Sequence, residues 1–397
     1  MKLLNRLSSS LLALTLFMPV NALAKTPPEI MNAFKAYKSS MQSNDYQNAI
    51  KHAKTAWQKS ETLLGDHVMT GDLAYNYGYI EKNRGEKRKA IKALERSADL
   101  ASLKKSDAAG FRLEREVELV SSMDGITKDS ALKNRIKNAI KFAKSNGMGS
   151  SVFVGELHVH ETSVCSRRLA LKMQEHKRQI GSKINRSSTE DGVQDGNKKC
   201  AQIAQKAVDI FDNNVSNARP VYVASANNYV GYGFESKKNY LAAALSYQKA
   251  RETIEGVYGR NDALVAKTIG RWMNARNYLK RKGQLAHAES QGLCKCWPFK
   301  DDRPQVEVTK WSEADFPANA LRRSSGYAIV QMDVSDAGVP ENVRIMNSWP
   351  EDIYDKSSLT AAKKLEFAPK TGNEPSGFRK GITIPYSYYL RRGLDPI

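Results

Sequence analysis

Along residues 25–105 and again along 227–293, apolar and small residues return at steps of three and four, so the pattern predicts amphipathic helices throughout both blocks. Tyr46, Ala49, Ala53 and Ala56 form one such stripe, and Ala74, Tyr77, Gly78, Ala90 and Leu94 form the next. Between the blocks, residues 106–226 read as mostly helical. Helices are expected at Phe111–Val120, Ala131–Ala143, Cys165–Ile180 and Lys199–Phe211, and an exposed, mobile loop at 185–197, where Ser, Asp, Gly and Asn cluster. Ser151–His160 alternates and predicts a strand, with a helix as the other reading of so short an apolar run. Residues 294–315, with Pro298, Pro304 and many charges, read as a linker.

Beyond the linker the period changes to two. Ala328, Val330, Met332 and Val334 share one face of a strand, Asp336-Ala337-Gly338 supplies a tight turn, and Asn342–Met346 predicts the second arm of a hairpin. Asp355 is placed to cap a helix with Leu359, Ala362 and Leu365 on its apolar side, ended by Phe367-Ala368-Pro369. A shorter helix is expected at Ala318–Arg323. In the last strand Ile382, Ile384, Tyr386, Tyr388 and Leu390 share a face. Pro385 has no N–H for a ladder, which places that strand at a sheet edge or beside a bulge.

Two resemblances follow. The helical blocks resemble the tetratricopeptide repeat family. Gly78 and Ala90 in one copy, and Gly231 and Ala243 in another, occupy the positions where two helices of such a repeat approach closely; in a weaker copy Arg276 replaces the glycine. The stretch 316–392 resembles the C-terminal domain of the TonB energy-transducer family. That likeness is carried by Phe316-Pro317, Ala320, Gly326 and its strand, Asp336–Gly338, Val343-Arg344-Ile345, the 355–365 helix, Phe367-Ala368-Pro369 and Ile384-Pro385-Tyr386. The expected class is therefore α+β: a mainly α-helical tetratricopeptide-like solenoid followed by a small αββαβ domain. The TonB resemblance implies that the domain grips a peptide segment of an outer-membrane TonB-dependent receptor. Phe316, Pro317, Ile382, Ile384, Tyr386, Tyr388 and Leu390 are the expected contacts, by strand addition along the last strand.

Residues 1–24 change what the family's role can mean. Lys2 and Arg6 precede an apolar run, Leu11–Val20, and Ala22-Leu23-Ala24 offers small residues for cleavage before Lys25, so a cleavable signal peptide and a periplasmic mature chain are expected. TonB transducers instead keep a membrane helix and a Pro-rich rod. Binding is thus expected to persist, while any force comes from another protein, such as an inner-membrane transducer or motor recruited by the repeats. The formal charge of +20 on 397 residues suggests anionic partners; with a secreted chain these are anionic envelope polymers, not nucleic acid.

The remaining chemistry is thin. His158 and His160 would share a face of a strand, with Glu161 on the other side and His176 in no fixed relation, short of the three or four ligands that zinc requires. Cys165, Cys200, Cys294 and Cys296 make an even count in an oxidising compartment, so disulfides are expected, with all three pairings open. There is no nucleophile elbow, P-loop or dinucleotide fingerprint in the sequence. The expectation is a non-enzymatic protein with no catalytic residue, cofactor or metal.

Overall fold

A computed structural model describes residues 26–104, 107–180, 186–255, 257, 263–294, 306–317, 326–349, 352–372, 374 and 376–388. The expected signal peptide at 1–24, the expected helix at 318–323, Cys296 and Leu390 lie outside the described residues. Among the described residues no helix is long and apolar enough to cross a membrane. The chain divides into two units, 1–184 with 209–217 and 185–208 with 218–397.

The first unit is built from helices α1 (Pro28–Gln42), α2 (Tyr46–Leu64), α3 (Val68–Asn83), α4 (Lys87–Leu100), α5 (Ala108–Met123), α6 (Asp129–Ser145) and α7 (Val152–Ile180). Asp45 caps α2 by accepting the Asn48 N–H at 3.2 Å. α3 and α4 meet where Gly78 faces Ala90. A Cβ at Gly78 would lie 2.8 Å from Leu94 Cγ, so only the missing side chain lets the helices come so close. The core of this hairpin stack is Ile30, Phe34, Tyr37, Ala49, Ala53, Ala56, Leu73, Tyr77 and Ala93.

Helix α5 departs from simple amphipathicity. Arg115, Glu116 and Glu118 on it are all buried, and each is paired. Arg115 reaches Asp72 and the Ser97 carbonyl, Glu116 takes both arms of Arg135, and Glu118 meets Lys82. Buried charges persist only when paired and hydrogen-bonded in this way.

Two expectations for the middle region need correction. Ser151–His160 is not a strand; from Val152 it is the first part of α7. Val154, Gly155, Glu156, Leu157, His158, Val159 and His160 are buried in succession. A helix enclosed on nearly every side shows no stripe, and its β-branched residues imitate a strand. Nor do residues 186–197 form a loop; they are the first turns of α8 (Arg186–Asp212). The buried stripe of α8 runs Asn197, Cys200, Ala204, Ala207, Val208 and Phe211, at steps of one, three and four, so Asn197 already occupies a core-facing position.

The second unit continues with α9 (Pro220–Ser236), α10 (Tyr240–Glu255), α11 (Ala263–Arg281) and the short α12 (Leu285–Ser290). Gly231 lets α10 approach α9, since a Cβ there would meet the Tyr247 ring at 2.5 Å, and Ala243 is wholly buried. At the equivalent place in α11, Arg276 instead donates to Glu289 of α12 at 2.9 Å.

Tyr247 also donates a hydrogen bond to Glu235 at 2.7 Å, and burial pushes the Glu235 carboxyl above its ordinary range, against the pull of the Tyr247 hydrogen bond and Arg271. The native state therefore holds that proton to higher pH than the unfolded chain does. Stability from this group is full below the ordinary carboxylate range and falls as pH rises through the native value. Glu235→Gln, which keeps the acceptor, is expected to melt at or above the wild-type temperature at pH 7 and to vary less between pH 4 and 7, as followed by circular dichroism.

The C-terminal domain has strands β1 (Val308–Lys310), β2 (Gly326–Val334), β3 (Pro340–Trp349), β4 (Glu366–Phe367) and β5 (Ile382–Tyr388), with α13 (Asp355–Ala362). β3, β2 and β5 form an antiparallel sheet in that order, and β1 pairs antiparallel with β4. One sheet face, Ala328, Val330, Met332 and Val334 with Ile382, Ile384, Tyr386 and Tyr388, packs with Tyr354, Ala361, Ala362, Leu365 and Phe367. Asp355 is the first residue of α13 and makes no capping hydrogen bond; Tyr354 holds the cap position, fixed by its own burial.

The segment expected to be a plain linker carries β1 and the buried Val306. The sheet also has a second packed face, because Tyr327 and Ile329 join Ile269, Trp272 and Met273 of α11 in one core cluster. Gly270 makes room for this, as a Cβ there would lie 2.6 Å from Tyr327 Cδ1. Within the second unit the sheet is thus enclosed by its own helix on one side and by α11 on the other.

Candidate functional site

β5 lies at an edge of the three-stranded sheet, in register with β2 from Gly326↔Tyr388 to Met332↔Ile382. Pro385 stands opposite Ile329, and an edge is where a strand residue without an N–H is tolerated. An edge strand presents one row of backbone N–H and C=O groups to a further chain.

The approach to β5 is held by polar groups. Gly381 N–H donates to Asp333 Oδ1 at 2.8 Å, and Asn342 reaches the other oxygen at 2.9 Å. These bonds, led by that from Asn342, hold the Asp333 carboxyl below its ordinary range. Arg379 donates to both Glu374 oxygens, at 2.5 and 2.6 Å, and to the carbonyls of Ser335 and Ala368 at 3.2 and 2.9 Å. The Arg379 carbonyl accepts from Val334 N–H at 2.8 Å. One arginine thereby ties the loop entering β5 to the β2–β3 turn.

The side chains expected to grip a partner face inward. Ile382, Ile384, Tyr386 and Tyr388 are buried, each less than a tenth exposed. Tyr388 stacks on Tyr354 with ring centroids 4.2 Å apart and shares a 2.5 Å hydrogen bond with Ser358. Burial pushes the Tyr386 and Tyr388 hydroxyls above their ordinary range. Phe316 is half-buried and meets Tyr354 and Tyr388 edge-on at 5.9 and 6.1 Å, while Pro317 is half-buried beside it. The aromatic-proline step and the alternating face of β5 therefore build the domain's own core, and β5 keeps one edge without a paired strand among the described residues.

Sequence reasoning does not single out Trp311, which falls within the expected linker at 294–315. It is 52% exposed, with its ring centroid 5.7 Å from that of Tyr386. Its signal is the alternation of Val306 and Val308, which marks 306–310 as part of a folded domain.

The other residues singled out by sequence are dispersed. His158 meets Glu161 at 2.9 Å and His160 meets Asp124 at 3.4 Å; on a helix these two histidines point to different sides, so they do not converge. The side chain of His176 lies outside the described set. Among the described residues no group of three or more His, Cys, Asp or Glu side chains is arranged to hold a metal ion. Cys165, Cys200 and Cys294 are each in a disulfide.

Residues 312–390 match the family described as Gram-negative bacterial TonB protein C-terminal. The C-terminal domain is thus of TonB type, a class with an envelope protein-interaction role, and it follows repeat-like helices. The chain matches none of the curated proteins compared with it. Among solved structures it is similar to BtubC (BKLC) from P. vanneervenii, at 14% identity over 66% of this chain and 86% of that one, with a TM-score of 0.37. The apo form of RapI is similar at 11% identity, 66% and 87% coverage and a TM-score of 0.45. MamA is similar at 14% identity, 57% and 92% coverage and a TM-score of 0.36. At such scores these likenesses carry no functional argument.

Proposed function

We propose that this protein is a periplasmic, non-enzymatic interaction module of TonB-dependent outer-membrane transport. Its C-terminal domain takes up a peptide segment of an outer-membrane receptor as an added strand on β5, and its helical repeats recruit a second protein, such as an inner-membrane transducer or motor. The observation that carries the reading is the edge position of β5, with Pro385 in a strand that has one neighbour among the described residues. Main-chain hydrogen bonds supply the attachment in such binding, and flanking side chains choose the sequence. Trp311, exposed beside Tyr386, is positioned as the aromatic anchor. The TonB-type match over 312–390 supports a receptor segment as the guest. Any pulling force then enters through the protein held by the repeats.

The full chain is expected to capture synthetic N-terminal segments of TonB-dependent receptors in a pull-down. Trp311→Ala is expected to weaken capture by about tenfold while costing only about 1 kcal/mol of stability, because half of the residue is in solvent and its ring meets Tyr386. No capture of any receptor segment would remove the transport reading.

A further inference from the structure

In the first unit, α2, α3 and α4 enclose a cleft of about 350 Å³ lined by Gln47, Ile50, Lys51, Lys54, Tyr77, Glu81, Arg84 and Lys89. Its floor is apolar: Ile50 and Tyr77 are buried, and Trp57 stacks behind Tyr77 with ring centroids 5.5 Å apart. Its rim is cationic, since Lys51, Lys54, Arg84 and Lys89 are all exposed. Glu81 is the single acid in the lining; it is buried and held by Arg84 at 3.2 Å. Lys89 leans on Glu86 at 3.3 Å. Asp45, the carboxylate that feels Lys51, is occupied in capping α2.

An apolar floor inside a positive rim selects a guest with the reverse arrangement. A phosphate or sugar-phosphate chain matches the rim but gains nothing from Ile50 and Tyr77. A peptide carrying carboxylates on either side of one large apolar side chain satisfies both, with the apolar group buried at the centre and the charges at the periphery. The volume admits one such side chain and its neighbours, not a folded domain.

We propose that this cleft docks an acidic peptide segment of the partner protein, with one apolar side chain seated on Ile50 and Tyr77 and flanking carboxylates paired with Lys51, Lys54, Arg84 and Lys89. This deepens the reading of the repeats as a recruiting surface and is independent of strand addition on β5.

The test titrates the full chain with fluorescein-labelled Glu-Glu-Leu-Glu-Glu, with Gln-Gln-Leu-Gln-Gln and Glu-Glu-Gly-Glu-Glu as controls, by fluorescence anisotropy. Only the first peptide is expected to bind appreciably, more weakly as salt rises. The double variant Lys51→Glu/Lys54→Glu is expected to lose about tenfold in affinity, whereas Lys133→Glu/Lys137→Glu, with the same charge change on exposed positions of α6, keeps wild-type affinity. All four positions are exposed, so circular dichroism is expected to show both variants folded. Equal losses in the two variants, binding of Glu-Glu-Gly-Glu-Glu as tight as of the leucine peptide, or no binding at all would overturn the proposal. Inorganic polyphosphate or anionic phospholipid vesicles competing through Lys51 and Lys54 as well as the leucine peptide does would also overturn it, assigning the cleft to phosphate. Capture of receptor segments is expected to be the same in Lys51→Glu/Lys54→Glu as in wild type, so failure here and failure of the β5 reading are told apart.

Discussion

Gly338→Ala is expected to destabilise the C-terminal domain by more than about 3 kcal/mol, enough to unfold a domain of ordinary stability. Two effects act together. Gly338 has φ +84°, a conformation that costs a residue with a Cβ on the order of 1 kcal/mol or more. The added Cβ would also fall 2.1 Å from the Phe367 carbonyl oxygen and 3.0 Å from its carbon. That neighbour is backbone and cannot rotate away, and Phe367 N–H donates to Gly338 O at 2.9 Å. Relief requires β4 to retreat, which breaks this bond and the Val308↔Phe367 pairing with β1. Loss of the near-ultraviolet dichroism of the stacked Tyr354 and Tyr388, at a denaturant concentration well below the wild-type midpoint, is the readout. A shift of less than about 1 kcal/mol would show that the close approach is not native.

The second large effect concerns the packing of the sheet on α11. Tyr327 is fully buried in the cluster that contains Ile269 and Trp272. Truncation of a buried aromatic costs about 3–5 kcal/mol, so Tyr327→Ala is expected to lose that much and to split unfolding into two transitions, one for the sheet and one for α9–α12. Gly270→Val attacks the same contact from the helix by overpacking, at a cost of about 1–3 kcal/mol. The two substitutions share one contact, so the double variant is expected to lose less than the sum of the single ones. Calorimetry distinguishes these outcomes; a single transition at the wild-type temperature for Tyr327→Ala would mean that Tyr327 is not what couples the sheet to α11.

Much of the architecture was legible where one physical demand leaves a mark at a fixed spacing. Close helix approach requires a missing side chain opposite a large one, and Gly78 against Leu94 and Gly231 against Tyr247 meet that demand. The β2–β3 hairpin was legible because one face of β2 is regular and Gly338 punctuates the turn. What was not legible is burial from a second side. Val152–His160 is helical, yet it is enclosed so completely that no stripe survives. Tyr327 and Ile329 belong to the face of β2 that a solvated sheet would keep polar; their apolar character signals the second packed face, but nothing local says that α11 supplies it. The same limit applies to the site. Period two correctly groups Ile382, Ile384, Tyr386 and Tyr388, but it cannot tell which face looks outward, and the structure turns that face into the core. Pro385 was the more informative residue, because a missing N–H constrains the strand's neighbours whichever way the side chains point.

Strand addition on β5 is tested most directly by peptide backbone chemistry. A receptor segment captured by the full chain is remade in two forms, with N-methyl groups on alternate amides in one and on the intervening amides in the other, and the affinity of each is measured by calorimetry. In an antiparallel or parallel added strand only every second amide faces the host ladder. One methylated form is expected to lose essentially all binding and the other to retain most of it, with slowed hydrogen exchange confined to alternate amides of 382–388. Equal tolerance of both forms, or protection along β3 in place of β5, would contradict docking on the β5 edge.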